Sequence, residues 1–415
     1  MKKTLSILGM CTLILLGTAC SSDDDGIGNN TRKDISLTRT EQEMVGANND
    51  FAFNFFNQLS FLEGEKNMMV SPLSLTQAMA MLANGADGNT KTELMKVLGF
   101  EGYSLVEMNA YYMNLNKGLL SADKTTKLSL ANSFWINNQY TAIDSYKKTL
   151  QNSYEAEVQE LAFDNTICAK INRWIEENTY GCIKNMVSEG DINNSTVMAL
   201  LNATYFKGAW KDKFKKKNTF KGNFEAPDKS SFVEYMKQVG FEANVYEDGE
   251  CKLIELPYGN EAFGMVVVLP NEEVALGELM QSVDADKWQN WMEQLSLHTN
   301  VLVQLPKFTG KYEYNENLKQ TLIEMGVVDA FSKLDADFSQ MIEGKTYVDI
   351  IKQNSFIEVN EEGTEAAAAV YTGMNMSDGG MKVFEFKATR PFFYAIKEKS
   401  TNAILFMGKV TNPKE

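Results

Sequence analysis

The chain has 415 residues, 44% apolar and 23% charged, an ordinary globular composition with ample material for a core. Its formal net charge of −15 argues against nucleic acid, and against a polyanion such as heparin, as the main partner. The body contains no Pro/Gly/Ser-rich linker and no internal repeat, which favours one large domain.

The N terminus reads as a processing segment. Lys2 and Lys3 supply positive charge, and Leu5 to Leu16 form a mostly apolar run too short to span a membrane. Leu16-Gly17-Thr18-Ala19-Cys20 places small residues before a cysteine and resembles a bacterial lipoprotein box, although Gly17 stands where that pattern prefers Leu. The resemblance implies a signal peptide at 1–19, lipidation of Cys20 and attachment to a membrane through that lipid; the alternative is plain secretion with cleavage after Ala19. Ser21-Ser22-Asp23-Asp24-Asp25 is similar to the acidic signal that sends some Gram-negative lipoproteins to the outer face of the outer membrane. Residues 20–37 then comprise the lipidated cysteine and a flexible polar tether, and a large domain covers 38–415.

Residues 38–63 carry Phe51, Phe53, Phe55, Phe56 and Leu59 among polar residues, which predicts an opening amphipathic helix. Asn67 to Val70 is a short strand. Ser71-Pro72-Leu73-Ser74 starts a second helix, with Ser71 as cap and Pro72 at the first position. Leu75, Ala78, Met79, Met81, Leu82 and Ala83 make that helix apolar on most sides, so it should be buried. Leu128–Asn137 reads as a buried strand and Ala169–Tyr180 as a helix with Ile171, Trp174 and Ile175 on one face. The basic run Lys211 to Lys217 reads as a solvated loop. Leu253–Pro257 and Met265–Pro270 flank Tyr258-Gly259-Asn260, a hairpin signal, and Leu318–Val327 is a helix. Cys11 leaves with the leader and Cys20 takes the lipid, so Cys168, Cys182 and Cys251 remain; they form either one disulfide or three free, mostly buried thiols.

Ser355–Asn360 reads as a strand through the Ile357/Val359 alternation, and Glu361-Glu362-Gly363 breaks it. Thr364-Glu365-Ala366-Ala367-Ala368-Ala369 follows; locally it is a good short helix capped by Thr364. That reading leaves unexplained why a strand should run through a glycine into so little apolar surface, ahead of a Gly/Asn/Ser/Asp-rich stretch at 372–380.

Glu361 to Ala369 resembles the hinge of the serpins, the serine protease inhibitor family; so do Arg390 to Ile396 and Phe406 to Pro413 near the C terminus, and, in order and spacing, the runs 67–94 and 197–210. The resemblance spans about residues 40–413 and implies an α+β serpin fold: three β-sheets, about eight to nine helices and an exposed reactive-centre loop. It also implies inhibition of serine proteases, and of cysteine proteases too: the loop is cut and inserts into the central sheet with the protease attached, a known case of strand addition with release of strain. The residue types suit that task, because alternate residues of an inserted strand face inward. From Thr364 the inward set is Thr364, Ala366, Ala368, Val370, Thr372 and Met374, none charged and the first three small, while Glu365 faces outward. Gly363 gives the pivot its freedom.

By the same resemblance Ser71, Ser74, Asn202 and Gln353 form the latch under the sheet, and Trp210 stands where the loop first inserts. Gln353 occupies a position where serpins often carry His, and Gln takes no charge near neutral pH. A count from Gly363 points to Ser377 before the cut and a count back from Arg390 points nearer Gly380; side-chain chemistry favours Met376–Ser377 as the expected bond, with Met374–Asn375, Ser377–Asp378 and Met381–Lys382 as alternatives. Met at the cut suits elastase-like or chymotrypsin-like enzymes, and the lack of Arg between 364 and 381 disfavours trypsin-like ones.

Nothing supports an enzyme. The single histidine, His298, precedes a strand, and no G-x-S-x-G, H-E-x-x-H, phosphate loop or cofactor motif occurs, so no cofactor or metal is expected. The expectation is a monomeric inhibitor on the exterior of the outer membrane. The alternative is a non-inhibitory serpin acting as a binding protein or decoy substrate.

Overall fold

The computed structural model describes residues 30–314, 316–364 and 382–414. The expectations for Cys20, for Glu365, Ala366, Ala367, Ala368 and Ala369, and for Met376 and Ser377 lie outside the described residues. Within the unit Thr31–Glu415, nine α-helices are found among the described residues: α1 (Arg39–Glu63), α2 (Pro72–Gly85), α3 (Gly88–Val97), α4 (Leu105–Ala122), α5 (Asp144–Tyr154), α6 (Ile167–Asn178), α7 (Leu276–Gln281), α8 (Ala285–Gln294) and α9 (Glu316–Glu324). The strands are β1 (Met68–Val70), β2 (Lys127–Asn137), β3 (Glu157–Leu161), β4 (Met198–Lys207), β5 (Phe220–Phe224), β6 (Ser231–Glu247), β7 (Cys251–Pro257), β8 (Phe263–Pro270), β9 (Ser296–Pro306), β10 (Phe308–Tyr314), β11 (Ile350–Val359), β12 (Phe384–Lys387), β13 (Phe392–Glu398) and β14 (Ile404–Val410).

Helix α1 starts where Thr38 and Glu41 cap one another, each side chain accepting the other's backbone N–H. Its phenylalanines Phe51, Phe53, Phe55 and Phe56 are all buried. Helix α2 is buried almost all round, as its apolar surface requires. Ser71 sits at its N-cap, but the hydroxyl makes no capping bond; it donates instead to the Leu405 carbonyl at 2.8 Å.

Three sheets were expected, and the ladders merge two of them. One hydrogen-bonded sheet has five strands in the order β10-β11-β4-β2-β3, and the other has nine, β1-β14-β13-β8-β7-β6-β9-β12, with β5 beside β6. The merger runs through β6, 17 residues long, which pairs with β7 through its last residues and with β5 through its first. Its register against β9 shifts between Val239 and Phe241 and again between Phe241 and Ala243, and such bulges bend a strand so that it serves two sheets.

The main core lies between the sheets and the helices α1, α2, α4 and α5. A second cluster lies on the other face of the five-stranded sheet, where Ile167, Ile171 and Ile175 of α6 pack on Ala131, Trp135, Ala199, Leu201 and Ala203 of β2 and β4.

Candidate functional site

The site is a seam in the five-stranded sheet and the turn at its end. Strands β4 and β11 lie side by side and run parallel, from Ile350 opposite Ala199 to Phe356 opposite Tyr205. On their outer sides β4 pairs antiparallel with β2, and β11 pairs antiparallel with β10. One further strand, running against both β4 and β11, would therefore make this stretch alternate throughout. Parallel ladders are slightly the weaker kind. At the end of the tight turn after β11, Gly363 bridges Ala209 in the antiparallel sense, which is the required direction.

That turn is Asn360–Gly363. The Asn360 N–H donates to the Gly363 carbonyl at 3.0 Å, and the Gly363 N–H donates back to the Asn360 carbonyl at 3.2 Å. Gly363 has φ of 138°, and a β-carbon there would lie 2.3 Å from the Gly208 carbonyl oxygen and 2.6 Å from the Ala209 Cα. Close backbone approach thus excludes any side chain here. Thr364 follows and is buried: its N–H donates to the Gly208 carbonyl at 2.7 Å, and its hydroxyl shares a 3.0 Å hydrogen bond with Tyr258. Burial pushes the Tyr258 phenol above its ordinary range, and the bond to Thr364 opposes that rise.

Trp210 covers this turn. Its ring stacks on Tyr258 with centroids 4.5 Å apart, its indole N–H donates to the Asn360 carbonyl at 2.9 Å, and its backbone N–H donates to the Glu362 carbonyl. The two glutamates are pinned by charge. Burial opposes ionisation of Glu361, but the Thr219 hydroxyl at 2.6 Å and the Lys307 ammonium at 3.3 Å outweigh it and hold the carboxyl below the usual range. Lys213, at 3.0 Å, does the same for Glu362, with Lys216 at 3.5 Å adding to it. The basic run is therefore more than a solvated loop, since two of its lysines hold the hinge.

Midway along the seam, Gln353 and Asn202 face each other as register partners. Gln353 is buried and spends both ends on one residue of the α2 start: Nε2 donates to the Ser71 carbonyl at 2.9 Å, and Oε1 accepts the Ser71 N–H at 3.1 Å. Asn202 Nδ2 donates to Asn132 Oδ1 at 2.7 Å and, more weakly, to the Ser74 carbonyl at 3.4 Å. Asn132 donates to Gln77 Oε1, and Gln77 exchanges hydrogen bonds with Asn116. The structure thus brings Ser71, Ser74, Asn202 and Gln353 into one buried cluster, with Trp210, Gly363 and Thr364 in a second one at the end of the strands. Asn132, Gln77 and Asn116 belong to the first cluster and escaped the sequence reading. The signal was available, in the form of lone amides inside runs that are otherwise apolar.

Along the seam and on the α2 turn beneath it, five buried side-chain atoms find no hydrogen-bond partner among the described residues: Ser74 Oγ, Asn202 Oδ1, Thr204 Oγ1, Asn354 Nδ2 and Ser355 Oγ. His298 lies elsewhere, on β9, accepting the Asn300 N–H at 3.2 Å and packing near the Phe384 ring. Among the described residues no His/Cys/Asp/Glu group could hold a metal ion. Among the described residues Cys168, Cys182 and Cys251 form no disulfide with one another, and of the three Cys251 is buried while Cys168 and Cys182 are partly exposed.

Residues 46–413 match the family described as Serpin (serine protease inhibitor). The chain belongs to the serpin family. Among serpin relatives, human Serpin B3 is 34% identical over 390 residues, covering 88% of this chain and 98% of the relative. The human leukocyte elastase inhibitor, also a relative, is 32% identical, covering 90% of this chain and all (100%) of its own length. The crystal structure of the thermophilic serpin tengpin in its native state superposes with a TM-score of 0.82 at 28% identity, covering 92% of this chain and 97% of tengpin.

Proposed function

We propose that this serpin traps serine proteases covalently, with elastase-like or chymotrypsin-like enzymes as targets, cysteine proteases as further ones, and Met376–Ser377 as the cut bond. The observation that carries this reading is Thr364, seated at the mouth of the β4/β11 seam and followed, after Glu365, by a run of four alanines. The protease serine attacks the Met376 carbonyl carbon; an ester to the protease forms, the peptide bond breaks, and the Ser377 amine leaves with a proton. Residues 364–376 then enter the seam as the missing antiparallel strand and carry the acyl-enzyme away from the geometry that its hydrolysis needs. The inhibitor supplies no catalytic group and is not an enzyme. Its small inward residues make insertion fast, and insertion must outrun hydrolysis. The small residues before Cys20 and the acidic run after it support lipidation at Cys20 and a tether to the exterior of the outer membrane, where the inhibitor acts as a monomer.

The test mixes the full chain with an elastase and follows a denaturing gel together with mass spectrometry of the released peptide. A band at the summed mass, with a peptide beginning at Ser377, is expected. Clean cleavage without that band, repeated with chymotrypsin-like and cysteine proteases, would leave a decoy substrate or a binding protein.

A further inference from the structure

The outer face of the seam carries a tie of its own. Lys352 lies on β11 opposite Leu201 of β4, on the face away from α2 and nearly out of solvent, at 8% exposure. Its ammonium donates to Asp191 Oδ2 at 2.5 Å and reaches the Met186 carbonyl at 3.5 Å. Asp191 belongs to the segment between α6 and β4, and the same Oδ2 accepts the Ser188 N–H at 2.7 Å. That segment is fixed to α6: the Asn172 side chain accepts the Val187 N–H at 2.9 Å and donates to the Val187 carbonyl at 2.8 Å, and the Cys168 thiol donates to the Ser188 carbonyl.

The α6 unit therefore stands on both banks of the seam. Its isoleucines rest on β2 and β4, and its following segment holds β11 through the Lys352–Asp191 pair. A strand added between β4 and β11 would move them from about 4.8 Å to nearly 10 Å apart. The apolar footing can slide, because dispersion contacts have no fixed partner. A 2.5 Å ion pair between fixed ends cannot span that change and must break.

We propose that Lys352 and Asp191 are positioning residues that set the rate of strand insertion, and with it the share of encounters that end in a trapped protease rather than a cleaved inhibitor. The inference rests on the insertion reading above and adds the element that regulates it.

The test needs no protease. The full chain is incubated, well below its unfolding temperature, with a synthetic peptide of residues 364–377, and uptake is followed by native gel. Lys352→Met keeps the stem and removes the charge; Asp191→Asn removes the other partner. Each variant takes up peptide roughly tenfold faster than the parent, the rate equivalent of one charge-assisted hydrogen bond. The double variant is no faster than either single one, and Lys352→Arg stays near the parental rate. Unfolding midpoints measured alongside separate this from general loosening, which would lower the midpoint without the non-additive acceleration. Equal uptake by parent and variants, or additive effects, overturns the tie and leaves the insertion reading standing. Failure of every form to take up peptide overturns the insertion reading and the tie with it.

Discussion

At Gly363 two demands coincide: φ of 138°, where side chains are strained, and backbone atoms within 3 Å of where a β-carbon would stand. The sequence marks this glycine as a pivot, but the need for close approach comes from Gly208 and Ala209, more than 150 positions away, and no local pattern encodes it. Gly363→Ala should lower the free energy of unfolding by about 2–4 kcal/mol in a denaturant titration, because strain and overlap add. An unchanged midpoint would mean that the turn does not dock as described. Gln353 makes a second residue-scale case. A histidine in its place could bind one backbone group of Ser71 in a given tautomer, whereas the amide satisfies both N–H and C=O at once. Gln353→Ala would orphan both buried groups and open a void, so a loss of about 3–5 kcal/mol is expected in the same titration. A loss below about 1 kcal/mol, the worth of an ordinary exposed contact, would contradict the reciprocal pairing.

Among elements, the hinge turn and the lysine segment before β5 form one electrostatic unit, and its pH dependence has a definite sign. Glu361 and Glu362 have pKa values depressed in the folded state by Thr219, Lys307, Lys213 and Lys216. A depressed carboxyl contributes stability that is fully present above its unfolded pKa, about 4.3, and is lost as pH falls through the lower folded value. Stability measured from pH 7 downward should thus hold to about pH 5 and then decline. The Glu361→Gln, Glu362→Gln double variant should start lower at pH 7 and decline less; parallel curves would show that other carboxylates carry the acid loss. At this scale much was readable beforehand. Helices α1, α2 and α6 and strands β2 and β8 announce themselves through apolar pattern, which depends on near neighbours, whereas β4 was legible only through the family resemblance of 197–210. The unreadable part depends on register across long separations. Nothing near Lys213 reveals Glu362, so a basic run looked merely solvated. Nothing near β6 reveals that its bulges join two sheets.

At the scale of the whole molecule, the five-stranded sheet holds two costs together. Its central pair is parallel where an antiparallel strand would complete the alternation, and five buried polar atoms beside that pair lack partners among the described residues. Each orphaned atom costs ~1–3 kcal/mol, so a strand that supplied backbone and threonine partners would recover several kcal/mol at once. The native arrangement would then persist kinetically, with a more stable one reachable only by opening the seam. The consequence is unusual: a cut in the chain should stabilise it. Cleavage within 365–381 by a non-specific protease, followed by thermal unfolding, should give a midpoint roughly 5–15 °C higher than the intact chain, at about 1–2 °C per kcal/mol for a unit of this size. Ala366→Arg supplies the control. Its inward position would bring a charge into a close-packed interior, so the cut chain should keep the parental midpoint, and the variant should be cleaved by proteases without trapping them. If cleavage lowers the midpoint of the parent, as a nick lowers most folds, the seam is no more than a parallel ladder and the orphaned atoms are satisfied by water. If Ala366→Arg rises as far as the parent, a strand enters in some register other than the one that Thr364 begins.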